Sequence, residues 1–294
     1  IEDANGCQYT SVLIVDAGTP PVDATIVPVG PFCVNDGAVV LDATDIGTFT
    51  GAGVVGGTFD PAIAGPGAHT ITNTIVDGCG GVATYDIVVN PLPVVTFIAN
   101  VNNGCAPIEV LFTNTGDVGA SCEWNFGDGA ISSSCGATSH LYANAGTYDV
   151  TLSVTDVNGC SNTVTYYDYI DIYEVPVANF IFDPVTATTL DTDVDFTDYS
   201  TNASGWIWTF DSYGSSTDQN PNFVLPDLAR SYDVTLIAVS DNGCRDTLTK
   251  TIHIHQDQLI FVPNVITPDG DTFNEVFTPY FTGIDIYDYH LTIF

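Results

Sequence analysis

Four oxygen-bearing side chains near the carboxy-terminal end have the types and spacing to hold a hard cation. Asp269, Asp271, Asn274 and Glu275 stand at alternating and near-alternating positions on a loop that contains Gly270, as calcium loops do. The set is shorter than a twelve-residue EF-hand loop. Its carboxylates could instead bond local backbone amides and cap a turn. Asp128, between Gly127 and Gly129, poses the same choice between an ion and turn geometry. His253 and His255 share one face of a strand, but two imidazoles without a third ligand nearby make a poor metal site. No Ser-His-Asp arrangement has local sequence support, and nothing singles out a pair of carboxylates for acid-base work. The chain reads as non-catalytic.

Cysteine is the other reactive residue type. Eight cysteines in a chain without methionine point to an oxidising, extracytoplasmic compartment. Three pairs can be drawn within single modules: Cys33 with Cys79, Cys105 with Cys160, and Cys122 with Cys135. Cys122 and Cys135 are too far apart for a CxxC redox pair and read as a structural bridge across a hairpin. Cys7 and Cys244 have no partner within their own modules. Spacing alone does not fix the connectivity.

The elements that must position these residues repeat. An aspartate followed by a Gly-Cys pair and an alternating strand occurs at Asp3–Cys7, Asp77–Cys79, Asp156–Cys160 and Asp241–Cys244. Intervals of roughly 70 to 85 residues suit small β-sandwiches. Proline-containing linkers at Gly18-Thr19-Pro20-Pro21, Asn90-Pro91-Leu92-Pro93 and Glu174-Val175-Pro176 separate the modules. The expected division is 1–17, a closing strand of a preceding repeat; 18–91, 92–176 and 177–256, three whole modules; and 257–294, the start of a different domain. No helical period of useful length appears, so the fold class is all-β, with tandem immunoglobulin-like sandwiches in an extended array.

Charge narrows the partners. There are 36 acidic residues against three basic ones, Arg230, Arg245 and Lys250, and the net charge is −33. Nucleic acid is excluded as a partner on that balance. The charged fraction is only 13 % and the hydrophobic fraction 45 %, which describes a folded chain with an acidic surface. Aspartate supplies most of the acids and is a turn residue and a hard oxygen ligand, so divalent cations could offset the self-repulsion. No run reaches the length of a membrane span.

Module 92–176 contains Trp124-Asn125-Phe126-Gly127-Asp128-Gly129, then His140-Leu141-Tyr142 and Gly146-Thr147-Tyr148-Asp149-Val150. It resembles a PKD domain, an immunoglobulin-like sandwich of cell-surface and secreted proteins. Module 177–256 is similar but degenerate: Trp206-Ile207-Trp208-Thr209-Phe210 keeps the aromatic alternation, while Asp211-Ser212-Tyr213-Gly214 replaces the Gly-Asp-Gly turn. Module 18–91, with Gly47-Thr48-Phe49-Thr50-Gly51-Ala52-Gly53 and Thr58-Phe59-Asp60-Pro61-Ala62-Ile63-Ala64-Gly65-Pro66-Gly67, resembles the immunoglobulin-like repeats of large Bacteroidetes surface proteins.

Val262-Pro263-Asn264, Thr267-Pro268-Asp269-Gly270-Asp271 and Phe273-Asn274-Glu275 resemble the start of the gliding-motility-associated carboxy-terminal domain. That family's loop usually reads Asn-Gly-Asp-Gly, and here Asp269 and Thr272 replace the flanking residues. The resemblances imply a secreted adhesin or filament protein on the surface of a Gram-negative, Bacteroidetes-like cell. They also imply export and attachment by the type IX secretion machinery, with surface glycans or other extracellular ligands as further partners. Asp246-Thr247-Leu248 resembles the O-glycosylation sequon of the same bacteria, with Thr247 as acceptor. A rival reading makes the modules spacers or carbohydrate-binding units of a secreted hydrolase or protease. Exposed aromatic platforms would mark that case, whereas Trp206 and Trp208 are expected to be mostly buried.

Overall fold

The computed structural model describes residues 22–76 and 80–257, together with the backbone of two short antiparallel strands, Leu259–Phe261 and Tyr280–Thr282. The chain divides into two compact units. One comprises the residues up to Asn100 with Leu111–Ser139 and Asp149–Tyr167; the other comprises Val101–Val110, His140–Tyr148 and everything from Asp168.

The first unit opens with a sandwich of small sheets. Its larger sheet runs in the order Phe32–Cys33, Gly81–Asn90, Gly67–Ile75, Thr48–Thr50, and its smaller one in the order Val39–Val40, Thr58–Phe59, Val54–Val55. Alternation decides which side chains point inward: Ile71, Ile87 and Val89 meet Leu41 and Phe59 in the core, while Asp86 and Val88 face water. A single helical turn, Pro61–Ala64, forms where Asp60 accepts the Ala62 and Ile63 amides and Pro61 supplies the first helical position. Among the described residues, one polar side chain lies in this interior. Asn73 is wholly buried, donates to the carbonyls of Ala24 (3.0 Å) and Asp45 (2.9 Å), and accepts from the Gly47 amide (2.9 Å).

The same unit holds most of the middle sandwich. Phe97–Ala99 pairs with Ile108–Asn114 in one sheet. In the other, Ser121–Asn125 lies between Ile131–Ser132 and Gly146–Thr155. Trp124 and Phe126 project from one face into the core, as their spacing predicts. The Trp124 ring meets Phe97 edge-on at 5.1 Å, Phe126 packs on Phe112 at 5.3 Å, and the Trp124 indole donates to the Ser134 carbonyl at 2.7 Å.

In the second unit, Asn103–Cys105 runs parallel to Asp171–Tyr173, the end of strand Ser161–Tyr173. The third sandwich follows. Its sheets are Phe180–Asp183, Asp193–Asp198, Asn222–Val224 and Ala187–Thr188, Arg245–His255, Ser231–Val239, Gly205–Phe210, Gly214–Ser216. Its core repeats the middle one. Trp208 meets Phe180 edge-on at 5.0 Å and donates to the carbonyl of Asp218, ten residues on, as Trp124 does to Ser134. Tyr232 is the buried corner tyrosine, its hydroxyl donating to the Pro226 and Leu228 carbonyls, and Tyr148 bonds the Asn144 carbonyl four residues back in the same way.

Candidate functional site at the module junctions

The cysteines correct the expected pairing. Cys33 is bonded to Cys160 and Cys105 to Cys244, while Cys122 is bonded to Cys135 within the middle module. The in-module pairs Cys33 with Cys79 and Cys105 with Cys160 are therefore replaced by two bridges that cross from one module to the next. Cys79 itself lies outside the described residues.

Strand length explains the correction. Cys33 sits on a two-residue parallel edge strand, in register with Asn90, where the chain leaves its sandwich. Gly81, the first residue of the ten-residue strand that ends at Asn90, lies at its other end, about 30 Å away at 3.3 Å per residue. A disulfide tolerates at most about 7 Å between Cα atoms. Cys105, in register with Tyr173, is separated from Cys160 by the thirteen residues of Ser161–Tyr173 in the same manner. The nearest turn cysteine is then the one on the following module.

Both bridges are built alike. The turn Asp156–Cys160 closes with Gly159 at φ 86°, and the turn Ser240–Cys244 closes with Gly243 at φ 81°, a region glycine enters without steric cost. The Asp156 carboxylate accepts the Cys160 amide (2.9 Å), and the Ser240 hydroxyl accepts the Cys244 amide (3.1 Å). Two residues beyond each turn cysteine, a side chain holds the incoming linker. The Asn162 amide donates to the Pro93 carbonyl (2.9 Å), and Asp246 accepts the Ala178 amide (2.8 Å). Each disulfide thus runs beside a peptide linker, from the residue next to a module's exit to the residue next to its successor's start.

Small clefts lie at the same places. One of about 280 Å³ is lined by Pro91, Pro93, Asp117 and Asp156, and one of about 300 Å³ by Glu174, Asn202, Ser240 and Asp241. At the first, the carboxylates are already engaged: Asp117 accepts the Val94 amide, and Asp156 accepts those of Asn158 and Cys160. Among the described residues, no three His, Cys, Asp or Glu side chains converge as a metal site.

The remaining predicted residues separate. Asp128 is exposed and accepts the Ala130 amide at 3.0 Å, with Gly127 and Gly129 both at positive φ, which is the geometry of a capped turn. His253 and His255 are exposed on one strand, and His253 Nδ1 meets the Ser231 hydroxyl at 2.7 Å. Thr247 is exposed on the same strand. Trp208 is buried, and the half-buried Trp206 donates to Asp198 at 2.7 Å. Asp269, Asp271, Asn274 and Glu275 lie outside the described residues.

Sequence reasoning missed Asn73 and Arg230. The guanidinium of Arg230 sits 4.4 Å from the centroid of the Tyr232 ring and pairs with Asp211 at 3.0 Å. Asp211 holds φ 45° at the position of Gly127, so the lost glycine coincides with a gained cation.

Residues 88–172 match the PKD domain family. That segment is a PKD domain. Among solved structures, the chain is similar to the PKD1 domain of the Vibrio cholerae metalloprotease PrtV. Identity is 34 %, over 27 % of this chain and 98 % of that one, with a TM-score of 0.23. The PKD1 domain of Vibrio anguillarum Epp is 25 % identical over 28 % of this chain and 96 % of its own, with a TM-score of 0.25. A calcium-stabilised, ice-binding adhesin of an Antarctic bacterium is 16 % identical over 80 % of this chain and 74 % of its own, with a TM-score of 0.35. The PKD domain contributes one half-cystine to each inter-module bridge, Cys160 to the module before it and Cys105 to the module after.

Proposed function

We propose that this chain is the non-catalytic stalk of a large, secreted cell-surface adhesin or filament protein, used in gliding or attachment. Residues 257–294 would be the type IX secretion address, recognised by the export and surface-attachment machinery. One observation carries the stalk reading: consecutive sandwiches are joined twice, by a peptide linker and by a disulfide beside it. Modules joined by a linker alone are free to move relative to one another by default. A second covalent link removes most of that freedom, which suits a spacer that must project a distant domain. The three disulfides also fit an extracellular location.

The rival reading, carbohydrate-binding modules of a secreted hydrolase or protease, calls for an aromatic platform open to solvent. The third sandwich instead uses Trp208 in its core and holds Trp206 against Asp198. Calcium on Asp269, Asp271, Asn274 and Glu275, glycosylation at the exposed Thr247, and surface glycans as ligands remain part of the proposal.

Small-angle scattering tests the stalk: an elongated particle is expected, and a compact globule overturns it. Truncation after residue 256 tests the address. The shortened protein is expected to stay inside the cell envelope, and its arrival at the surface would overturn the sorting role.

A further inference from the structure

The two inter-module disulfides overlap in sequence: Cys33 to Cys160 encloses Cys105, and Cys105 to Cys244 encloses Cys160. We propose that they form an interlocked, load-bearing ladder that limits how far the chain extends under tension. This goes beyond the stalk reading, because it assigns the bridges a mechanical function that holds whatever the chain is attached to.

A chain pulled from both ends becomes taut along its shortest covalent path, and every longer path hangs slack beside it. Through the disulfides among the described residues, that path runs from Ile1 to Cys33 and crosses to Cys160. It then goes backward to Cys105 through the Cys122–Cys135 shortcut, crosses to Cys244 and continues to Phe294. At about 3.5 Å per extended residue it measures roughly 450 Å, against roughly 1,000 Å for the reduced chain. Residues 34–104, which include nearly all of the first sandwich, lie off the taut path. Of that sandwich's strands, only Phe32–Cys33 carries load.

The register shows where the ladder stops. Cys33 pairs with Asn90, Cys105 with Tyr173, and Thr188 with His255, in three equivalent parallel edge strands. The third strand offers no thiol, so no such rung leads onward from this module.

Force spectroscopy on the whole chain, held by its two termini, tests the proposal. Oxidised protein is expected to reach about 450 Å and reduced protein about 1,000 Å. Interlocking adds a sharper signature. Losing only the first bridge (C33S with C160S) lengthens the route by roughly 100 Å, and losing only the second (C105S with C244S) by roughly 140 Å. Losing both together adds more than about 500 Å, because each bridge alone still closes most of the route. Equal extension before and after reduction would overturn the proposal. So would additive increments, or an oxidised length near 690 Å, the value for in-module pairing of Cys33 with Cys79 and Cys105 with Cys160. The comparison of oxidised with reduced wild-type chain needs no variant to fold.

Discussion

At the scale of single residues, backbone and hydroxyl donors do for aspartate here the work that basic side chains do elsewhere. Backbone amides and hydroxyls, not lysines, face many of the carboxylates: Asp36 accepts the Cys33 amide, Asp198 that of Ser200, and Asp257 that of Leu190. Asp23 accepts from the Thr25 hydroxyl and amide, and these bonds hold its carboxyl below the usual carboxylate range. A depressed folded-state value means that this contribution is present above the ordinary carboxylate pKa and is lost as pH falls through the lowered one. Titration followed by NMR is expected to place the Asp23 midpoint below that of a free aspartate, and an unshifted midpoint would disprove the turn's role. Asn73 is the costlier position. Replacing it by Leu leaves the Ala24 and Asp45 carbonyls and the Gly47 amide without their partner, a loss of about 3 kcal/mol or more in urea unfolding. A loss under about 1 kcal/mol would show that water takes its place. Nothing in Thr70–Ile75 announced this residue, because its partners lie 28 and 49 positions away for the two donor bonds.

At the scale of elements, the middle and third sandwiches are one core built twice. Trp124 and Trp208 make matching edge-on contacts and matching indole bonds, so Trp124→Phe and Trp208→Phe are expected to cost about the same, about 2 kcal/mol each, by calorimetry. A difference of several kcal/mol would mean that the degenerate turn has changed the third core. These long elements were legible in the sequence, since Trp-x-Phe alternation and strands of nine to thirteen residues declare their period without help from the rest of the fold. The short ones were not. Phe32–Cys33 and Asn103–Cys105 are too brief to show any alternation, and they become strands only because a partner strand lies beside them. The cysteine connectivity depends on those two elements, and that is why a reading confined to single modules gave Cys33 and Cys105 the wrong partners.

At the scale of the whole molecule, a net charge of −33 sets the response to salt. Of the three basic residues, Arg230 pairs with Asp211, and Lys250 lies over the Phe180 ring and bonds the Phe180 carbonyl. Little positive charge is left to offset the surface, so folding concentrates like charges that the unfolded chain spreads apart. Screening falls within about 10 Å at 0.1 M ionic strength, so added salt relieves this repulsion in the folded state more than in the unfolded one. The melting temperature is therefore expected to rise steadily between 10 mM and about 0.5 M sodium chloride. The carboxylates of Asp128 and Asp156 accept backbone amides, and general screening is a separate effect from binding of a particular ion. Melting curves at equal ionic strength in sodium, magnesium and calcium chloride separate the two effects. Screening raises all three alike, and a further gain confined to calcium belongs to the loop of Asp269, Asp271, Asn274 and Glu275 if Asp271→Asn abolishes it. A melting temperature that falls as sodium chloride is added would overturn the repulsion argument.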